Sequence, residues 1–270
     1  MIPKRIIQTG PPELPLILRS AVTNVRLLNP TFEYCFFNDS QVEAFIREQY
    51  PAFREAFHSF RFPIQKYDLF RYLFVYTYGG FYLDLDVFLA EDLTPFLDSQ
   101  CVFPFEELTA VKYFWRRFQM DWQIGNYAFG SEPGHPYLAA ILENCLRAKD
   151  DPSWVKPMMK GIPKPFYGHF YVLNTTGPGL VSRTFAENPQ LSDNVTILFP
   201  DDVRDPHGWH QFGCVGVHHM AGSWRGRQGI LSHRLRRLWD AWTLRRILSE
   251  SKKRGKTRAP GKPAHVAAPI

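Results

Sequence analysis

Little in this sequence invites a redox or zinc-binding reading. Its 270 residues hold four cysteines, Cys35, Cys101, Cys145 and Cys214. They are scattered, with no Cys-x-x-Cys pair and no cysteine–histidine spacing of the zinc type, and they read as reduced, mostly buried thiols. Long apolar runs are missing as well: nowhere do about 18 apolar residues follow one another, so no membrane span is expected. No leader pattern precedes the first structured segment, because Met1 runs directly into residues patterned as a strand, 5–8. The expectation is a cytoplasmic protein, or one peripheral on the cytosolic face of a membrane. Acidic residues are scarce in one place. Between positions 225 and 262, thirteen Lys or Arg meet only Asp240 and Glu250, a net +11, which leaves the rest of a +6 chain at −5. Nucleic acid is therefore an improbable partner for the body of the protein, and a basic tail remains the one place for it.

What is present is a core. Apolar residues make up 45% of the chain and aromatic ones 16%, enough to build one large domain. The chain is organised around QKYDLFRYLFVYTYGGFYLDLDVFL, residues 65–89. Leu69, Tyr72, Leu73, Tyr76 and Thr77 have the spacing of a helix that buries one stripe. Gly79 and Gly80 stop that helix and supply a turn. Phe81, Tyr82 and Leu83 then form a short buried strand that delivers Asp84, Leu85 and Asp86 to its end. In an extended chain Asp84 and Asp86 point to one side, with Leu83, Leu85 and Val87 facing the core. Two ionised carboxylates held this close repel each other unless a cation sits between them. Oxygen ligation suits Mg²⁺ or Mn²⁺, which recruit substrate phosphates. Taken alone, an Asp-x-Asp is as readily a pair of solvated loop acids. Asp68 and Arg71, three apart on the helix, are spaced for an ion pair.

In combination, the helix carrying Asp68 and Arg71, the Gly-Gly break, Tyr82 and the acid pair resemble the DxD-containing glycosyltransferases of family 32, which include yeast outer-chain mannosyltransferases and bacterial capsular sugar transferases. MIPKRIIQTG, IGNYAFGSEPGHP, TGPG and GVHHMAGSW resemble further segments of that family, in its order, over about residues 2–224. The resemblance implies the α/β GT-A fold, a single mixed sheet flanked by helices, and a metal-dependent transfer of a hexose from a nucleotide diphosphate sugar to an acceptor hydroxyl with retention of configuration. It implies Mn²⁺ or Mg²⁺ and a donor such as GDP-mannose or a UDP-hexose. The acceptor would be a glycan, a lipid-linked sugar or a small molecule. Asp68 and Arg71 would bind the donor sugar's hydroxyls and Asn126 would lie beside that sugar. Ser223 and Trp224 would bind phosphates. A C-terminal His would complete the metal site with Asp84 and Asp86; His218 is expected, with His219 open as the alternative. Imidazole favours Mn²⁺ over Mg²⁺. Gln8 and Thr9, at the end of the first strand, fall where a base would sit or in an ordinary loop. Fungal Golgi members carry a membrane anchor, which is not seen here.

Along the remainder, patterning predicts a helix over 14–28, a strand over 33–37 and a helix capped by Asp39 or Ser40. It predicts a strand over 101–105 ending at Glu106 and Glu107 in the acceptor region, then an open segment with Trp115, Arg116, Arg117, Asp121 and Trp122. A strand over 124–130 carries Asn126, and a helix covers 135–148. Residues 150–170 read as a long loop or lid. Gly177, Pro178 and Gly179 open a helix to 187, and strands follow over 195–199 and 214–218. The expected organisation is a catalytic domain over 1–228, a basic amphipathic helix over 229–251 and a disordered basic tail over 252–270. Leu231, Leu235, Leu238 and Trp242 form an apolar stripe among arginines, suited to an anionic membrane surface or to docking on the body. A second resemblance, of FYLDLDVFL to haloacid-dehalogenase-type phosphohydrolases, would make Asp84 a nucleophile with Asp201, Asp202 and Asp205 as a later acidic motif.

Overall fold

The computed structural model describes residues 1–109, 111–219 and 241–249. β1 (Arg5–Thr9) leads through α1 (Leu16–Leu28) to β2 (Glu33–Phe37) and α2 (Asp39–Gln49). After α3 (Arg54–Ser59) come α4 (Pro63–Tyr78), β3 (Gly80–Leu83) and β4 (Val87–Leu89). β5 (Cys101–Leu108), α5 (Lys112–Phe118), β6 (Trp122–Ile124) and β7 (Ala128–Ser131) follow. The chain continues through α6 (Pro136–Asp150), α7 (Pro152–Met159), α8 (Tyr167–Thr175), α9 (Pro178–Glu187) and β8 (Thr196–Leu198) to β9 (Gln211–Phe212) and β10 (Gly216–His218).

Seven strands form one mixed sheet in the order β2-β1-β3-β7-β5-β6, with β8 on β5. β1 runs parallel to both β2 and β3, whereas β7 is antiparallel to β3 and β5. Alternation along these strands sorts their side chains into two cores. Ile7, Tyr82, Phe103 and Phe129 join Phe70, Leu73 and Tyr137 on one face. Their neighbours Ile6, Phe81, Val102 and Ala128 join Val25, Val87 and Phe212 on the other. This is the α/β mixed sheet flanked by helices that the sequence implied. The structure adds a three-stranded antiparallel sheet, β4-β10-β9, beside it.

Several local expectations are corrected. α4 is buried nearly all round: Phe70, Phe74 and Val75 are sealed along with Leu69, Tyr72 and Leu73. It packs on the sheet, α6 and α8, so a single stripe understates its burial. α2 is capped by Asn38, not by Asp39 or Ser40. Asn38 Oδ1 accepts from the Gln41 N–H at 3.0 Å, and Gln41 Oε1 accepts from the Asn38 N–H at 2.9 Å. The expected lid over 150–170 is largely helical. Asp151 Oδ1 accepts from the N–H groups of Ser153 and Trp154 to start α7, which buries Trp154, Val155, Met158 and Met159. The open segment with Trp115 and Arg116 is α5. The strand over 124–130 is broken, with Asn126 in the gap between β6 and β7.

Residues 241–249 are helical. Leu244 and Ile247 pack against Phe105, Leu108 and Trp209, while Trp242 is 46% exposed beneath the Arg246 guanidinium. In this stretch the helix docks on the body, and Trp242 lies off the docked face. Leu231, Leu235, Leu238 and residues 252–270 lie outside the described residues. Among the described residues no helix is long and apolar enough to cross a membrane.

The break after α4 depends on glycine. Gly80 has φ +109°, and a Cβ there would stand 2.7 Å from the Arg5 carbonyl oxygen. Gly80→Ala should therefore cost more than about 2 kcal/mol, against about 1 kcal/mol for removing the α2 cap by Asn38→Ala. Urea denaturation of the two variants checks this ordering; equal losses would mean that β1 yields to the new methyl group.

Candidate active site

β1 and β3 run in the same direction, and β7 starts where β3 ends, with Leu83 opposite Ala128. The residues just after β3 and just before β7 therefore meet, and the Asp84 N–H donates to the Tyr127 carbonyl at 2.6 Å. Asp84 and Asp86 do not converge by strand alternation as expected. The chain turns between them, the Val87 N–H donating to the Asp84 carbonyl at 3.1 Å, and leaves as β4. β10 pairs with β4 so that His218 lies opposite Val87. One ligand atom each of Asp84, Asp86 and His218 then falls within 4.8 Å of the others. His218 Nε2 stands 3.2 Å from Asp86 Oδ1 and 4.0 Å from Asp84 Oδ2. Of the two histidines, His218 is the one whose side chain is brought to the acids; His219 packs its ring edge-on against Phe88, and its backbone N–H donates to the Asp86 carbonyl.

Behind this trio lies a buried charge cluster. The Arg71 guanidinium is 3.0 Å from Asp84 Oδ1 and 3.2 Å from Asp68 Oδ1, and it lies 4.3 Å over the Tyr82 ring. It also donates to the Asn126 carbonyl at 2.9 Å. Asp68 accepts from Asn126 Nδ2 at 3.3 Å and from the Thr176 hydroxyl at 2.7 Å. Tyr82 donates to Asp84 Oδ1 at 2.9 Å. One guanidinium thus serves two acids, Asp68 buried and Asp84 partly exposed, with Asp86 as a third acid nearby. Burial pushes Asp68 up to about 6 despite Arg71 and its hydrogen bonds. Asp84 is also raised, again by burial first, with Asp86 repelling it and Arg71 opposing. Burial alone would lower His218, but the hydrogen bond and charge of Asp86, with Asp84 and Glu106, raise it.

These groups want another positive charge. Two carboxylate oxygens and an imidazole nitrogen form a donor set that suits Mn²⁺ and, less well, Mg²⁺. The residues present therefore fit a divalent ion held by Asp84, Asp86 and His218.

Gln8 does not face a ligand. It is fully buried, donating to the Leu83 and Asp84 carbonyls at 3.4 and 3.2 Å and accepting from the Tyr34 hydroxyl at 2.8 Å. It braces the turn that carries the acids. Thr9 is partly buried, its hydroxyl 3.3 Å from that of Tyr82. Ser223 and Trp224 lie outside the described residues. Trp122 is taken up by ring contacts with Phe185 and Phe199. Asp202 and Asp205 cap the turns at Arg204 and His207, far in role from a phosphohydrolase motif. Sequence reasoning missed Tyr72, Tyr127 and Thr176. Tyr72 donates to the Thr176 carbonyl and accepts from Asn126 Nδ2. Tyr82 was visible two residues before Asp84, on the same strand face.

Residues 17–103 match the model of the glycosyltransferase sugar-binding region containing a DXD motif. Over that stretch the chain is similar to the DXD-motif glycosyltransferases. Among its relatives, inositol phosphoceramide mannosyltransferase 2 of Schizosaccharomyces pombe is 28% identical over 212 residues, 76% of this chain and 54% of that protein. Inositol phosphoceramide mannosyltransferase 3 of the same yeast is 27% identical over 242 residues, 83% of this chain and 60% of that protein. Mannosyl phosphorylinositol ceramide synthase CSH1 of Saccharomyces cerevisiae is 27% identical over 182 residues, 66% of this chain and 42% of that protein. The chain thus spans about half the length of the curated relatives it matches. The ligand-free glycosyltransferase domain from the YGT toxin aligns with a TM-score of 0.47 at 10% identity, over 73% of this chain and 79% of that one.

The raised carboxyl of Asp68 carries a pH signature. An acid whose folded pKa exceeds its unfolded value contributes stability that is complete below about pH 4 and lost as pH rises through about 6. Between pH 4 and pH 8 the natural protein should therefore lose about 2 kcal/mol relative to Asp68→Asn. Urea denaturation of both proteins at the two pH values measures that difference. No relative change would show that Arg71 holds Asp68 ionised.

Proposed function

We propose that this chain is a metal-dependent glycosyltransferase that moves a hexose from a nucleotide diphosphate sugar to an acceptor hydroxyl, with retention of configuration. The observation that carries this reading is the convergence of Asp84, Asp86 and His218 from two sheets, backed by the buried Asp68–Arg71–Asn126 cluster. A Mn²⁺ or Mg²⁺ ion on the three ligands would offset charge growing on the departing nucleoside diphosphate. Asp68 and Arg71 each leave only 4% of their surface exposed, so they would offer the donor sugar's hydroxyls an edge of an otherwise internally bonded cluster. Arg71 keeps Asp84 oriented while Asn126 and Thr176 fix Asp68, so the sugar's hydroxyls find preformed partners.

The names of the relatives point to mannose as the sugar; the donor would then be GDP-mannose, with a UDP-hexose as the alternative. They also favour an inositol-phosphate lipid over a free glycan or small molecule as acceptor. A lipid acceptor accords with the basic C-terminal region, which would bring a protein at the cytosolic face to an anionic membrane.

Screening nucleotide sugars for Mn²⁺-dependent hydrolysis without acceptor tests the reading. Asp84→Asn and Asp86→Asn should each lower turnover about 100-fold or more with unchanged circular dichroism. Normal turnover in a folded double variant would sink the proposal. Release of phosphate from simple phosphomonoesters, with no nucleotide sugar consumed, would favour the phosphohydrolase.

The membrane role has its own test. Each well-placed Lys or Arg contributes about 1 kcal/mol at an anionic surface, and salt screens it. Flotation with anionic vesicles should exceed that with neutral ones, fall at high salt, and be abolished by Arg234→Glu, Arg236→Glu and Arg237→Glu together. Equal, negligible flotation under all conditions would remove the membrane from the account.

A further inference from the structure

The metal ligands come from separate strands, and one residue touches two of them. Tyr127, in the gap before β7, accepts the Asp84 N–H on its carbonyl at 2.6 Å. Its ring lies flat on His218, with centroids 4.4 Å apart and planes 15° from parallel. Only 2% of Tyr127 is exposed. Gly125 leaves room for that ring, since a Cβ there would come within 2.7 Å of Tyr127 Cε1.

An imidazole that ligates a metal through one nitrogen usually has its plane set by a hydrogen bond from the other. His218 Nε2 faces the two acids, yet its Nδ1 is buried with no hydrogen-bond partner among the described residues. The phenol oxygen of Tyr127 is likewise buried and unpartnered there. Apart from Asp86 at Nε2, what restricts rotation of the imidazole among the described residues is the flat contact with the Tyr127 ring, to which the hydroxyl adds no hydrogen bond.

We propose that Tyr127 is the positioning residue of the metal site: its ring holds the plane of His218 so that Nε2 stays aimed at the acids, and its hydroxyl is dispensable. This inference rests on the metal reading above. It separates ring from hydroxyl, and it routes the effect of Tyr127 through His218.

The test is Mn²⁺ affinity of the full chain without nucleotide, read from the electron paramagnetic resonance signal of free Mn²⁺. Tyr127→Phe should bind within about twofold of the natural protein, because the stacking surface is kept. Tyr127→Leu should bind about 10- to 100-fold more weakly, the range for lost ligand support. Tyr127→Met, unbranched and of similar length, replaces Leu if that variant melts early. In a His218→Ala background the Leu or Met change should have no further effect. Loss of affinity in Tyr127→Phe would overturn the proposal. So would natural affinity in the Leu or Met variant, or an undiminished loss in the His218→Ala background. A natural protein that takes up no Mn²⁺ would instead refute the metal reading, and this inference with it.

Discussion

The structure turns on one guanidinium shared between a buried and a partly exposed carboxylate. Arg71 reaches Asp68 from the same helix, sealed from water, and Asp84 from the end of β3, where water screens the pair in part. Burying ions is costly unless each is paired and hydrogen-bonded, and here the pairing is one cation short. The neighbourhood is built to make up what it can: Thr176, Asn126 and Tyr82 each donate to one of the two acids. The buried α4, the glycine break and the antiparallel approach of β7 serve to bring these donors to one place. The remaining negative charge opens on the side of Asp86 and His218, where a divalent ion would take the place of their mutual contact.

That arrangement also separates two tasks. The sealed layer of Asp68, Arg71, Asn126 and Tyr72 is rigid because every polar atom it uses is hydrogen-bonded within the protein. The outer trio is more exposed and has one nitrogen held by stacking instead of a hydrogen bond. Geometry in the first is determined by directional bonds, in the second by the fit of two rings.

Much of this was legible before any coordinates. The helix with Asp68 and Arg71, the stop at Gly79 and the strand leading to Asp84 follow from local periodicity and the freedom of glycine. The ends of α1 and β2 lie within two residues of expectation. What was illegible depends on distance along the chain. Thr176 meets Asp68 across 108 residues, and no local pattern announces it. Gln8 looked like a strand-end residue free to meet a base, yet Tyr34 and two carbonyls occupy its amide. β10 falls inside the strand expected over 214–218, but no local pattern shows its pairing with the three-residue β4, and only the resemblance pointed His218 to the acids. In residues 150–170 proline suggested a loop, although at the first turn of a helix it is well tolerated, and Pro152 starts α7.

The small sheet has a consequence for how the protein comes into being. Asp84 and Asp86 are in place once β3 and β7 have paired, but the third ligand sits on β10, 134 residues after Asp84 in the chain. Closing so long a loop is slow relative to the local pairing that precedes it. A growing polypeptide therefore passes through a long interval in which the acid turn exists without its histidine. The trio is completed only at the end of assembly, so an ion held there would be captured last.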